Sequence, residues 1–196
     1  MKICLTLIAL LLVKNIFPQD SCFSRPHFDL HLVQTDSGNV YASNFDPYLT
    51  TYIGCKAPAF DMTTIAGRKI SLNEIKGKVI VLNFWYTSCA PCVREFKALN
   101  KLVDEFSSQN VEFISFALDE KSKLDTFLTK HPFKYEIIAH AAPIADLYQV
   151  ETFPFSIILD ANHRVVKMLH SSRSAHPSDM ENYELIKPFI IEALKK

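Results

Sequence analysis

The stretch KVIVLNFWY, residues 78–86, limits what this chain can become more than any other segment. It is β-branched or aromatic at nearly every position, so a strand built from it is apolar on both faces. Such a strand belongs in the centre of a sheet with helices covering each side. The chain then turns helical. Val93, Phe96, Leu99, Leu102, Val103 and Phe106 recur in steps of three and four, which predicts an amphipathic helix over residues 90–106. A second buried strand is expected over 111–118, and a hairpin from 155–159 and 165–169 around Asp160-Ala161-Asn162-His163. Helices are expected over 122–129, 144–148 and 185–194, the last with Pro188 as its start or a kink. Ahead of the central strand, Ala66-Gly67 marks a turn. Ser71 and Glu74 then have the offset of a capping box for a short helix ending at Gly77. Strands alternating with helices predict an α/β fold whose sheet is partly parallel.

Between the central strand and its helix lies Cys89-Ala90-Pro91-Cys92. A cysteine at a helix amino terminus meets unpaired N–H groups and the positive end of the helix dipole, both of which favour the thiolate. The thiolate is the nucleophile of disulfide exchange and also a good leaving group. Cys92, one turn further in, suits the second step, in which a mixed disulfide is attacked and the product released. Pro91 restricts the backbone between the two and is tolerated in a first helical turn. Zinc would need four ligands, and the chain has no second C-x-x-C and no histidine pair at finger-like spacing after Cys92. A purely structural bridge here would close almost no loop. A peroxide-reducing cysteine would be expected to follow a threonine three residues earlier, where this chain has Tyr86. The pattern therefore reads as a redox-active dithiol, with no metal.

Composition narrows the partners. The chain of 196 residues carries 21 basic and 21 acidic side chains, which argues against a nucleic-acid surface. It has only 4 glycines and none after Gly77, so no glycine-rich phosphate loop can form and no nucleotide cofactor is expected. At the amino terminus, MKICLTLIALLLV places Lys2 before an apolar run that Lys14 interrupts. The run is too short to span a bilayer as a helix and matches the core of a secretory signal, with cleavage expected between Phe17 and Ser21. An uncleaved membrane tether is the alternative. Removing residues 1–21 takes away Cys4 and leaves Cys22, Cys55, Cys89 and Cys92, an even number that permits disulfides in an exported chain. Cys55 either pairs with Cys22 or stays a buried thiol. Lipidation of Cys22 is a further alternative, poorly matched by Gln19-Asp20-Ser21. Within 22–53, Asp36-Ser37-Gly38-Asn39 predicts the turn of a short hairpin, and His27 and His31 read as surface residues.

Three elements in order, KAPAFDM, GKVIVLNFWYTSCAPCVREF and VETFPFSIILDANHRVV, resemble the thioredoxin superfamily, specifically the exported TlpA/ResA-like thiol–disulfide oxidoreductases. The resemblance runs from Gly54 to the carboxyl terminus. It divides the chain into a signal over 1–21, an extension over 22–53 and a thioredoxin-like domain over 54–196. It implies a thioredoxin fold, a central mixed sheet flanked by helices, here with an N-terminal β-hairpin extension. It also implies that Cys89 attacks and Cys92 resolves. Pro154, after Phe153, matches the proline held in cis beside the dithiol, where the preceding backbone pairs with an extended substrate. Trp85 matches an aromatic near the active-site loop, so Trp85, Pro91, Phe153 and Pro154 are the expected substrate groove.

Asn83 stands where thioredoxin has a buried aspartate and cannot shuttle a proton. Glu95 falls where the exported subgroup often carries a glutamate, and could take the proton of Cys92. Ser88 replaces a common tryptophan and Lys97 a common proline. The resemblance implies protein disulfides as substrates in a bacterial envelope, reduced as in cytochrome c maturation, with a membrane thiol reductant for recycling and no cofactor. Two other readings stay open: a peroxidase or antioxidant enzyme on the same scaffold, and a non-catalytic binding module.

Overall fold

In a computed structural model, which describes residues 22–24, 34–35, 38–39, 47–170 and 180–195, the apolar run is the middle strand of a five-stranded sheet. The elements in chain order are β1 (Gln34–Thr35), β2 (Gly38–Asn39), α1 (Pro47–Thr51), β3 (Asp61–Thr63), β4 (Lys69–Ser71) and β5 (Val79–Trp85). There follow α2 (Ala90–Phe106), β6 (Val111–Ala117), α3 (Lys121–Leu128), β7 (Glu136–Ile138), α4 (Ala142–Leu147), β8 (Phe155–Leu159), β9 (Val165–His170) and α5 (Glu181–Ala193). The sheet order is β7-β6-β5-β8-β9, with β7, β6 and β5 parallel and β8 and β9 antiparallel to their neighbours. All seven residues of β5 are buried, as a strand flanked by helices on both faces requires.

Strand alternation divides the core. Ile80, Leu82 and Phe84 join Ile114, Phe116, Phe155, Ile157 and Tyr148 on one face. Val79 and Val81 point the other way, into a cluster with Leu99, Leu102 and Phe106 of α2 and Tyr183, Ile186 and Ile190 of α5. By the same alternation, Asn83 and Trp85 must lie on the α2 face.

Two expected boundaries move. The expected capping box does not form: Ser71 makes no side-chain cap, and the helix after it is a single 3-10 turn, Leu72–Glu74. Ser71 is paired opposite Asp61 as the last residue of β4, which holds its backbone extended. The closing helix begins at Glu181 rather than at 185, and Pro188 lies inside it rather than at its start. Tyr183 extends its apolar face toward the core. Strand β7 and helix α1 were not foreseen; β7 is three residues on the edge of the sheet, too short for a period to show.

The turns fall where expected. Gly67, at φ +89°, closes the β3–β4 turn, a conformation that costs glycine nothing. In the β8–β9 turn, Asp160 Oδ1 accepts from the N–H of Asn162 and of Arg164. The N-terminal hairpin is seen as β1 paired antiparallel with β2, Gln34 opposite Asn39. Residues 1–21, His27 and His31 lie outside the described residues. No helix among the described residues is long and apolar enough to cross a membrane.

Candidate active site

The dithiol stands at the carboxyl end of β5 and opens α2. Cys89 is the N-cap of the helix, its backbone extended at φ −84° and ψ 94°. The N–H of Cys92 donates to Cys89 Sγ at 3.2 Å. An N–H that the helix leaves unpaired thus points at the sulfur, the arrangement expected from the sequence. Pro91 lies in the first turn, where its missing N–H leaves no hydrogen bond unmade. Cys89 and Cys92 form a disulfide with Cα atoms 5.2 Å apart. Cys89 is 4% exposed and Cys92 0%.

The loop between strand and helix is anchored from the neighbouring strand's end. Thr87 N–H donates to Asp119 Oδ2, and Cys89 N–H to the Tyr86 carbonyl at 3.1 Å. Burial pushes the Asp119 carboxyl up, but the hydrogen bonds from Lys123 and Thr87 outweigh it, and the group titrates below its ordinary range.

Of the four expected groove residues, three sit at the surface or next to it. Pro91 is exposed, Phe153 is half-buried against the cluster that holds Cys89 and Cys92, and Pro154 is buried after a cis Phe153–Pro154 bond. Trp85 is different. It is fully enclosed, with its ring 4.8 Å from Phe96, 5.8 Å from Phe133 and 5.9 Å from Phe127, and its indole N–H bonded to Ser115 Oγ at 3.3 Å. Strand alternation turns it inward, so it supports the dithiol from beneath and lines no groove. Tyr86, which the sequence reading named only as standing in place of a threonine and not as a groove residue, is half-buried. Its ring meets Phe153 edge-on at 5.5 Å, joining the loop before Cys89 to the loop before Pro154. The signal was its place one residue beyond the buried strand.

The polar residues of the sheet collect under α2. Register puts Asn83 beside Ser115 on β6 and Ser156 on β8, a polar row across three strands on one face. Glu95 of α2 lies over this row and is 5% exposed, not the solvated helix glutamate that its position would also allow. Asn83 Nδ2 donates to Glu95 Oε1 at 2.8 Å and to Ser156 Oγ at 3.2 Å. Asn182 Nδ2, from α5, donates to Glu95 Oε2 at 2.7 Å. Burial, reinforced by the charge of Glu95, pushes the phenol of Tyr135 well above its ordinary value. Cys92 is three residues before Glu95, so the two share a helix face. Sequence reasoning reached Glu95 and missed Asn182, because nothing local marks an asparagine 87 positions away as its partner.

A second disulfide joins Cys22 to Cys55, with Cα atoms 5.9 Å apart. A sulfur held in this bridge carries no lipid. Beside it, Phe23 is buried, stacked on Tyr52 at 4.4 Å and edge-on to Tyr148 at 5.5 Å. Ser88 and Lys97 are exposed, and α2 runs unbroken past Lys97.

Residues 53–193 match the AhpC/TSA family. A thiol-disulfide oxidoreductase ResA from Bacillus cereus is 34% identical over 119 residues, 60% of this chain and 69% of that protein. A thiol-disulfide oxidoreductase ResA from Halalkalibacterium halodurans is 30% identical over 163 residues, 81% of this chain and 92% of that protein. Among solved structures, a candidate thiol:disulfide interchange protein DsbE from Chlorobium tepidum superposes with a TM-score of 0.64 at 25% identity, over 72% of this chain and 97% of that one.

Proposed function

Given that the chain belongs to the AhpC/TSA family of the thioredoxin superfamily and is a thiol–disulfide oxidoreductase, we propose that it is an exported reductant of protein disulfides, with Cys89 attacking and Cys92 resolving. The observation that carries the assignment is the Cys92 N–H on Cys89 Sγ at the start of α2, which would stabilise a thiolate on Cys89 once the bridge is reduced. The Cys89 thiolate attacks one sulfur of a substrate disulfide. The substrate S–S bond breaks, one substrate sulfur leaves as a thiolate and takes up a proton, and the other is joined to Cys89. The Cys92 thiol then gives its proton to Glu95 and attacks Cys89 Sγ. The mixed disulfide breaks, and the second substrate sulfur leaves and is protonated in turn. Two electrons have passed to the substrate, leaving the Cys89–Cys92 bridge.

Tyr86, Phe153, Pro154 and Pro91 border the place where an extended substrate would lie. The signal-like amino terminus supports export, and the second bridge supports an oxidising compartment such as the bacterial envelope. A membrane thiol reductant would then recycle the dithiol, in a role like that of cytochrome c maturation.

The test is trapping. Cys92→Ser should hold substrate as a stable mixed disulfide on Cys89, and Cys89→Ser should hold none. A measured potential near ~−120 mV, that of a strong periplasmic oxidant, would overturn the reductant direction. Peroxide turnover that needs Cys89 but not Cys92 would support a peroxidase instead.

A further inference from the structure

Asn182 sits in the first turn of α5 and is 6% exposed, although asparagine there would ordinarily face water. Its amide reaches one oxygen of Glu95 at 2.7 Å while Asn83 reaches the other at 2.8 Å. The two donors come from different layers, one from the sheet beneath α2 and one from the helix beside it. We propose that Asn182 is a positioning residue for disulfide exchange: with Asn83 it clamps both oxygens of Glu95, fixing the carboxylate toward Cys92. The proposal rests on the reading that Glu95 takes the Cys92 proton.

The chemistry of the clamp explains why these two donors are amides. A free glutamate side chain turns about three torsions, and donors on both oxygens remove that freedom. An amide donates without bringing a charge, so neither of these two donors adds an opposing charge to the carboxylate. The position of Asn182 depends on the docking of α5, because the next residue, Tyr183, and Ile186 one turn on are core residues. The same amide lines a narrow crevice with Glu95, Ser156, His170 and Ile186, where α2, α5 and the ends of β8 and β9 meet. Among the described residues, Tyr135 ahead of β7 feels the charge of Glu95, His170 of β9 lines the same crevice, and Cys92 precedes Glu95 on its own helix face.

The test follows the resolving step by the emission of Trp85, the single tryptophan, which packs with Cys89 and Cys92. Reduced full-length protein is mixed with oxidised glutathione across a range of pH. Asn182→Leu should move the acidic limb of the rate profile up by about one pH unit, because a buried carboxylate that loses a donor holds its proton more readily. At a pH on that limb, the step should slow about tenfold. Asn182→Gln, which keeps the amide, should restore part of the rate. In a Glu95→Gln background Asn182→Leu should add nothing. Should Asn182→Leu fold poorly, Asn182→Ser, a smaller change that also loses the amide, carries the same expectation. A profile that moves with Glu95→Gln but not with Asn182→Leu or Asn182→Ser overturns the role of Asn182 alone. A profile unmoved by Glu95→Gln overturns the Glu95 reading and this proposal with it.

Discussion

Asn83, Ser115 and Ser156 stand side by side across three strands whose interior is otherwise apolar. A buried polar group left without a partner costs about 1–3 kcal/mol, and of these three side chains Asn83 keeps one such atom, its Oδ1. Asn83 donates to Glu95 and Ser156, and Ser115 accepts from Trp85. The sequence said only what Asn83 cannot do, which is carry a proton. What it does depends on a register that no local pattern contains. His163 makes the same point at the far end of the sheet. It is buried in a turn at φ 58°, with Nε2 2.6 Å from the Ile75 carbonyl. Burial, with the charges of Lys56 and Lys76, lowers its pKa more than the Ile75 contact and Asp160 raise it. The folded protein therefore binds this proton less readily than the unfolded chain. The contribution of His163 is intact above the ordinary histidine value of about 6.5 and is lost as pH falls below it. His163→Asn tolerates the left-handed backbone and removes the titration. Urea midpoints between pH 7 and pH 5 should fall less steeply for this variant than for the native chain; equal slopes would refute the assignment.

Elements were legible wherever a period ran long enough to be counted. Helix α2 occupies 90–106 as predicted, and β5, β6, β8 and β9 fall within two residues of expectation. Short elements were lost to tertiary competition: Ser71 pairs in β4 instead of capping, and β7 exists because β6 offers an edge. The loop between β5 and α2 shows how one element positions another. Its backbone is tied to Asp119, just beyond β6, through the N–H of Thr87, and Lys123 holds the same carboxylate from α3. Because the Asp119 pKa is lowered in the fold, its contribution is present above the ordinary aspartate range and is lost as pH falls through the folded value. Asp119→Ala should lower stability by about 1–2 kcal/mol in denaturant titration. It should also slow the reaction of Cys89 with a disulfide, since the loop that sets the N-cap is released. A variant that loses stability with an unchanged Cys89 rate would show that the anchor serves the fold alone.

Across the whole molecule, two disulfides of very different span share one chain. The Cys89–Cys92 bridge has a separation of 3 and constrains almost nothing. The Cys22–Cys55 bridge has a separation of 33, and closing a loop of that length removes unfolded-state entropy worth about 3–4 kcal/mol. It also holds Phe23 against Tyr52 and Tyr148, which joins residues before the sheet to the core on the face away from α2. Replacing Cys22 and Cys55 together by serine should lower the unfolding free energy by about that amount, while insulin-disulfide reduction at 25 °C stays close to native. Loss of reduction in a variant shown to be folded would instead place this bridge in the redox cycle.

By itself, the sequence determined the central strand, the helix that follows it, the turns and the placement of two cysteines at a helix amino terminus. Each is set by residues within one or two turns of one another, where period and backbone preference act directly. Tertiary structure decided the rest. It turned Trp85 inward, brought Tyr86 to Phe153, buried Glu95 and supplied it with Asn83 and Asn182. Those contacts join residues far apart in the chain. They arise only when sheet register and helix docking bring separate polar groups into one dry space, where water cannot take the place of a protein partner.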